Sequence, residues 1–85
     1  MVVVVLPGIL AAQAGGRKRF EVDAATAEEA LRALPVADLL FDERGELRPL
    51  VNVFVDGRDV REGGGLDASL ADARELRVVG AVAGG

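Results

Sequence analysis

Val2-Val3-Val4-Val5-Leu6 is an unbroken apolar run, mostly β-branched, stopped by Pro7-Gly8. Such a run predicts a strand buried on both faces and therefore interior to a sheet. Gly15-Gly16 marks a turn. From Arg17 to Asp23, Phe20 and Val22 alternate with Arg19, Glu21 and Asp23. Period-two alternation predicts a half-buried strand with one wet face. The two strands are expected to pair, joined through Gly8–Ala14, a segment with room for a helical turn at Ile9 and Leu10.

The period then changes. Ala27, Ala30, Leu31 and Leu34 recur at helical spacing on one face. Thr26 stands where its hydroxyl can cap the first free amides, and Glu29 can reach back to it. Glu28 and Glu29 sit where the helix dipole favours negative charge, and Pro35 ends the run. A helix this short persists only if it packs against a sheet.

Residues 36–49 mix polar and apolar positions and predict a connection with one helical turn around Ala37–Leu40. Leu50-Val51-Asn52-Val53-Phe54-Val55 predicts a third strand, Asp56-Gly57 a tight turn, and Arg58–Arg61 a short fourth strand. Gly63-Gly64-Gly65 is a break, and Leu66 with Leu70 predicts one anchoring helical turn. Leu76–Val79 is the last strand. The path from the second strand through the helix to the third is a crossover of the kind that favours parallel pairing. One sheet under one main helix makes a two-layer α+β domain over residues 1–79. Residues 80–85 follow as a flexible C-terminal tail ending in Gly-Gly.

Composition narrows the function. The 85 residues carry 10 Lys+Arg against 14 Asp+Glu, a net charge of −4, with three Phe as the only aromatics. That balance argues against a nucleic-acid partner. With no Cys and no His, the usual zinc ligands, a thiolate nucleophile and a His general base are all missing. No apolar stretch approaches the roughly 20 residues of a membrane span. Met1 followed by Val2–Leu6 lacks the basic leader of a secretory signal, so a cytoplasmic location is expected.

The remaining side chains are poor in catalysts. Thr26 and Ser69 are the only hydroxyls, and no base accompanies Ser69. Glu28/Glu29 and Asp42/Glu43 read as solvated surface charges. Asp67 and Asp72 lack the spacing of a calcium loop. Gly63-Gly64-Gly65 lacks the Gly-Lys-Ser/Thr ending of a phosphate loop. Arg17-Lys18-Arg19 reads as a basic strand edge. No catalytic side chain and no metal ligand is therefore assigned.

The C-terminal residues carry more meaning. Gly80-Ala81-Val82-Ala83-Gly84-Gly85 is uncharged, whereas a frayed tail usually carries charge. A terminal carboxylate behind two residues without Cβ fits a narrow channel in another protein. Six residues past Val79 span up to about 20 Å, enough to reach a partner's active site.

Together these segments resemble the small ubiquitin-like sulfur carriers, the family of the thiamine sulfur carrier and the small subunit of molybdopterin synthase. The resemblance rests on Val2–Leu6, Gly15-Gly16, Thr26–Leu31, Val51–Gly57, the Leu70 turn and Ala81–Gly85. Within the family it is most similar to the actinobacterial carriers that supply sulfur for cysteine synthesis from O-phosphoserine. Leu6–Leu10, Gly15–Lys18, Asp59–Arg61, Gly64–Leu66 and the closing Ala81–Gly85 carry that likeness. The implied fold is a ubiquitin-like β-grasp, a mixed sheet of four to five strands with one main helix packed across it.

The resemblance also implies a mechanism. An E1-like enzyme adenylates the Gly85 carboxylate with ATP and magnesium, a sulfur donor displaces AMP, and the thiocarboxylate hands its sulfur to an acceptor on a partner enzyme. Residues Gly80 to Gly84 would enter those active sites. The carrier itself binds no cofactor and is not an enzyme. Implied partners are the E1-like adenylating enzyme, a sulfur-accepting synthase such as a pyridoxal-phosphate-dependent cysteine synthase, and a metal-dependent peptidase. Molybdopterin and thiamine are further acceptors. Rival readings are a ubiquitin-like modifier attached to proteins through Gly85, and a β-grasp interaction module without sulfur chemistry. An apolar sheet face is expected to dock partners, formed either by Leu50, Asn52 and Phe54 or by Val51, Val53 and Val55. Two positions depart from the family pattern. Ala73 stands where Gly is common, which predicts a differently built turn, and Gly80 stands where Pro is common.

Overall fold

The structure, a computed structural model, describes residues 1–62 and 64–80. Five strands form one mixed sheet: β1 (Val2–Val5), β2 (Arg19–Val22), β3 (Val51–Val55), β4 (Arg58–Asp59) and β5 (Glu75–Gly80). Their spatial order is β2-β1-β5-β3-β4. Three short helices complete the chain: α1 (Gly8–Gln13), α2 (Ala27–Arg32) and α3 (Ala37–Leu40). This is the β-grasp arrangement expected. The helical layer is shared, however, because α1 is as long as α2 at six residues each.

The crossover expectation is corrected. β2 and β3 run in the same direction but do not pair, because β1 and β5 lie between them. The parallel pair is instead β1 with β5, the first strand with the last. Both are apolar on their inner faces, and that pairing buries the most apolar strands at the sheet centre.

The expected double burial of β1 is corrected as well. Val2 and Val4 are buried, while Val3 and Val5 are half-buried. The helices cover one face of the sheet only. Val2, Val4, Val51, Val53, Leu76 and Val78 point inward to meet Ala27, Ala30 and Leu31 of α2 and Leu40 of α3. Each fully buried Leu, such as Leu31, Leu40 or Leu76, contributes about 1.5–3 kcal/mol of transfer free energy. The all-valine run thus reflects β-branched strand preference as much as burial.

α2 begins as its sequence predicts, with the Thr26 hydroxyl accepting the Glu29 N–H at 3.3 Å. Glu29 reaches back one residue further than expected, to the Ala25 N–H at 2.8 Å. The predicted fourth strand stops at Asp59, and Val60–Glu62 continues as a 3-10 turn with Val60 in the core. Leu70 is buried and fixes its loop through Leu70 N–H to Ala25 C=O at 2.9 Å.

The start of β5 is held from the β3–β4 turn. The left-handed residue is Asp56, at φ +49°, followed by Gly57 at +86°. The Asp56 carboxylate accepts the N–H groups of Arg74 and Glu75, with Oδ1 at 3.2 and 3.0 Å. The β3–β4 turn therefore holds the first residues of β5, and no positive φ is needed at Ala73. A second carboxylate closes the loop after α3: Asp42 Oδ1 accepts the N–H groups of Arg44 and Glu46 at 2.9 and 3.0 Å. The Glu46 N–H bond leads in holding the Asp42 carboxyl below its ordinary 3.8; the Arg44 N–H and the Arg44 and Arg48 charges add to it against desolvation.

Asp56→Ala is expected to cost about 2–3 kcal/mol, from two lost hydrogen bonds and a strained αL alanine, whereas Asp56→Asn keeps an acceptor and costs less. Urea midpoints measure both, and an unchanged midpoint for Asp56→Ala refutes the anchoring role. For Asp42, a lowered folded-state pKa stabilises the fold above 3.8 and loses that contribution as pH falls through the lowered value. Asp42→Asn is expected to remove this part of the acid loss, read as a flatter stability profile below about pH 4.

Candidate functional site

β5 is hydrogen-bonded on both sides, parallel to β1 and antiparallel to β3. Its last residue, Gly80, is in register with Val51 at the end of the β3 ladder. The strand thus takes in Gly80, one residue more than Leu76–Val79 at each end. Ala81, Val82, Ala83, Gly84 and Gly85 lie outside the described residues, as does Gly63. The site is therefore described from its base, where β5 ends.

That base lies beside the open face of the sheet. Register puts Asn52 beside Val79 and Phe54 beside Arg77 on this face, with Val3 and Val5 of β1 further along it. Of the two sets expected to dock partners, Val51 and Val53 are buried and Val55 packs on the core, so Leu50, Asn52 and Phe54 face outward. Leu50 is 56% exposed and Val79 40%, which is high for large apolar side chains flanking the last described residue.

Arg61 completes the base, and sequence reasoning missed its role. β4 pairs only with Phe54 and Val55, so it leaves the earlier part of β3 without a strand neighbour on that side. The Arg61 side chain takes that place. Nη2 donates to Val51 C=O at 2.9 Å, and Nη1 donates to Asn52 Oδ1 at 2.8 Å. The backbone carbonyl opposite Gly80 is thereby held by a guanidinium. Asn52, a polar residue amid Val-Asn-Val-Phe-Val, was a visible signal; its partner nine positions away was not.

A second concavity, about 360 Å³, lies between β4 and Ala68–Ser69. Apart from Arg58, its polar side chains are already used. Asp56 holds β5, Asp59 Oδ1 accepts the Arg61 N–H at 2.9 Å, and Ser69 Oγ accepts the Ala71 N–H at 3.2 Å. Thr26 is likewise spent as a cap. Among the described residues no group of three His, Cys, Asp or Glu is placed to hold a metal ion, and no helix is long and apolar enough to cross a membrane.

Comparison with known proteins identifies the same architecture. A family model described as the ThiS family matches residues 4–85. The sulfur carrier protein CysO of Mycobacterium tuberculosis is 33% identical over 99% of this chain and 98% of its own. The crystal structure of that organism's CysO superposes with a TM-score of 0.85 at 30% identity, covering 96% of this chain and all of the other. CysO in the crystal structure of the Amycolatopsis orientalis BexX/CysO complex gives 0.83 at 34% identity, with both chains fully covered. SAMP1 from Haloferax volcanii gives 0.75 at 33% identity, over 99% of this chain and 98% of the other.

Arg61→Ala is expected to free Val51 C=O and Asn52, costing about 1–2 kcal/mol and raising amide exchange in the ladder between Val51 and Gly80. Arg61→Lys offers a single point donor in place of the fork and is expected to recover only part of the loss. Exchange rates at Asn52 and Val79, the hydrogen-bonded pair nearest the clamp, equal to those of the unaltered protein would exclude it.

Proposed function

The chain belongs to the ThiS family, and we propose that it is a sulfur carrier whose working group is the carboxylate of Gly85. An E1-like enzyme uses ATP and magnesium to adenylate that carboxylate. A sulfur donor displaces AMP, leaving a thiocarboxylate, and the sulfur passes to an acceptor on a partner enzyme. Cysteine synthesis is the favoured destination. The observation that carries this reading is the likeness to CysO over nearly the whole of both chains, together with the uncharged Gly80–Gly85 sequence it includes.

The geometry supports it in two respects. Gly80 ends a strand whose first half is paired with both β1 and β3 and whose last residues stay in register with β3, so whatever follows starts from the sheet. Leu50, Phe54 and Val79 offer apolar area next to that point, suited to a partner whose active site receives residues 81–85. The partner classes are the adenylating enzyme, a sulfur-accepting synthase and a metal-dependent peptidase. That CysO of A. orientalis was crystallised with BexX supports a working state bound to another protein. Such chemistry needs no catalytic side chain from the carrier and belongs in the cytoplasm, where ATP is supplied.

The likeness to a small archaeal modifier protein 1, 25% identical with a TM-score of 0.80 for that of Methanosarcina acetivorans, favours a second reading. The same activated Gly85 would there be transferred to an amine of another protein.

Intact mass after incubation with ATP, an E1-like enzyme and a sulfur source tests the proposal. The expected product is heavier by the difference between sulfur and oxygen, and deletion of Gly85 abolishes it. Phe54→Asp is expected to keep the fold and slow product formation at least tenfold, about 1.4 kcal/mol of docking energy. No mass change with folded protein and intact Gly85, across several activating enzymes, overturns the carrier reading. Isopeptide-linked products would favour the modifier.

A further inference from the structure

β2 is an edge strand, and its free side is charged in a self-complementary order. Leu6 N–H donates to Lys18 C=O at 2.7 Å, so Lys18 points its backbone groups toward β1. Alternation along an antiparallel ladder gives the same direction to Phe20 and Val22. The N–H and C=O groups of Arg19 and Glu21 therefore point away from the sheet. No hydrogen bond among the described residues uses them. The side chains of Arg19, Glu21 and Asp23 are exposed and join no ion pair among the described residues.

We propose that β2 pairs with the β2 of a second copy of this chain, antiparallel about a twofold axis at Phe20. In that register Arg19 faces the second copy's Glu21, and Glu21 faces its Arg19. Each such pair exchanges two backbone hydrogen bonds, using the four groups left free on each edge. Their side chains lie on one face of the joined sheet as opposite charges directly across from one another. Each neighbouring register that also satisfies the backbone brings one like-charge contact at its axis and is less favourable. A slip one way sets Arg19 against Arg19, and a slip the other way sets Glu21 against Glu21. On the inner side Phe20, half-buried at the edge of the core, meets its own copy at the axis. Arg17 stands over its ring, 4.5 Å from the centroid.

The interface is isologous, as a twofold dimer requires, and it closes rather than propagating. The area covered is that of two short strands, so the dimer is weak, with a Kd on the order of 0.1 mM. The symmetry leaves the base of each site clear. β5 lies two strands from the joint in each copy and runs in opposite directions in the two, so the two Gly80 residues stand at opposite ends of a ten-stranded sheet.

Sedimentation equilibrium on the full chain, from micromolar to millimolar concentration, tests this. The expected result is a monomer–dimer equilibrium that weakens several-fold as salt rises to about 0.5 M. Glu21→Arg is expected to raise Kd at least tenfold. The double variant Arg19→Glu/Glu21→Arg restores opposite charges in the same register and is expected to restore the dimer. Both positions are exposed, and circular dichroism confirms the fold of each variant. A protein that stays monomeric at millimolar concentration overturns the proposal. So does a dimer indifferent to Glu21→Arg, or a double variant that remains monomeric.

Discussion

The pairing of the last strand between the first and the third holds this fold together. β5 is reached only after every other strand has formed a part of the chain, yet it occupies the middle of the sheet. Its partner β1 lies at the other end of the domain, so closing that ladder carries the loop entropy of nearly the whole domain. Three features offset that cost. Leu76 and Val78 are buried completely or nearly so, the β1 pairing matches valines with the apolar strand, and Asp56 holds the two amides where β5 begins. A strand placed this way cannot fray without exposing the core. The doubly paired part is Glu75–Arg77, and Val78–Gly80 continue from it along β3 alone.

A two-layer fold has a further consequence. Three helices of four to six residues cover one face of the sheet and leave the other open. β1 and β3 keep apolar residues on that open side, where Val3, Val5 and Phe54 remain half-exposed. A single valine there is ordinary for a strand. A group beside the end of β5, bordered by Arg61 and Arg77, has the apolar centre and polar rim of a transient interface. The same open-faced construction leaves both sheet edges to be managed. β3 is closed by a two-residue strand and then by a guanidinium, whereas β2 carries alternating charge.

Local chemistry was legible where it depends on neighbours in sequence. The Thr26 cap, the Asp56-Gly57 turn, α3 at Ala37–Leu40 and all five strands follow from spacing and residue type. The five-residue valine-leucine run misled on one point, because β-branched residues favour strands whether one face or both are covered. The crossover rule misled on another, because it takes consecutive strands as neighbours and this chain later inserts β5 beside β1. Pairs distant in sequence had no local signature. Nothing in Arg61 marks it as the partner of Val51 and Asn52, and nothing in Asp56 marks it as the cap of Arg74 and Glu75. The outward set Leu50, Asn52 and Phe54 was one of two open choices, decided by which residues of β3 meet Leu76 and Val78.

Gly80 sets the conformational freedom at the end of β5. A proline there would fix φ and remove the Gly80 N–H, which points to the side of β5 away from β3. Glycine keeps that N–H and gives up conformational restraint, at a cost of roughly 0.5–1 kcal/mol in a strand interior. Across the ladder, Arg61 holds the Val51 carbonyl on the side of β3 that faces away from β5. The base of the site is thus ordered on the β3 side by a guanidinium that is itself exposed, where a partner can also contact it.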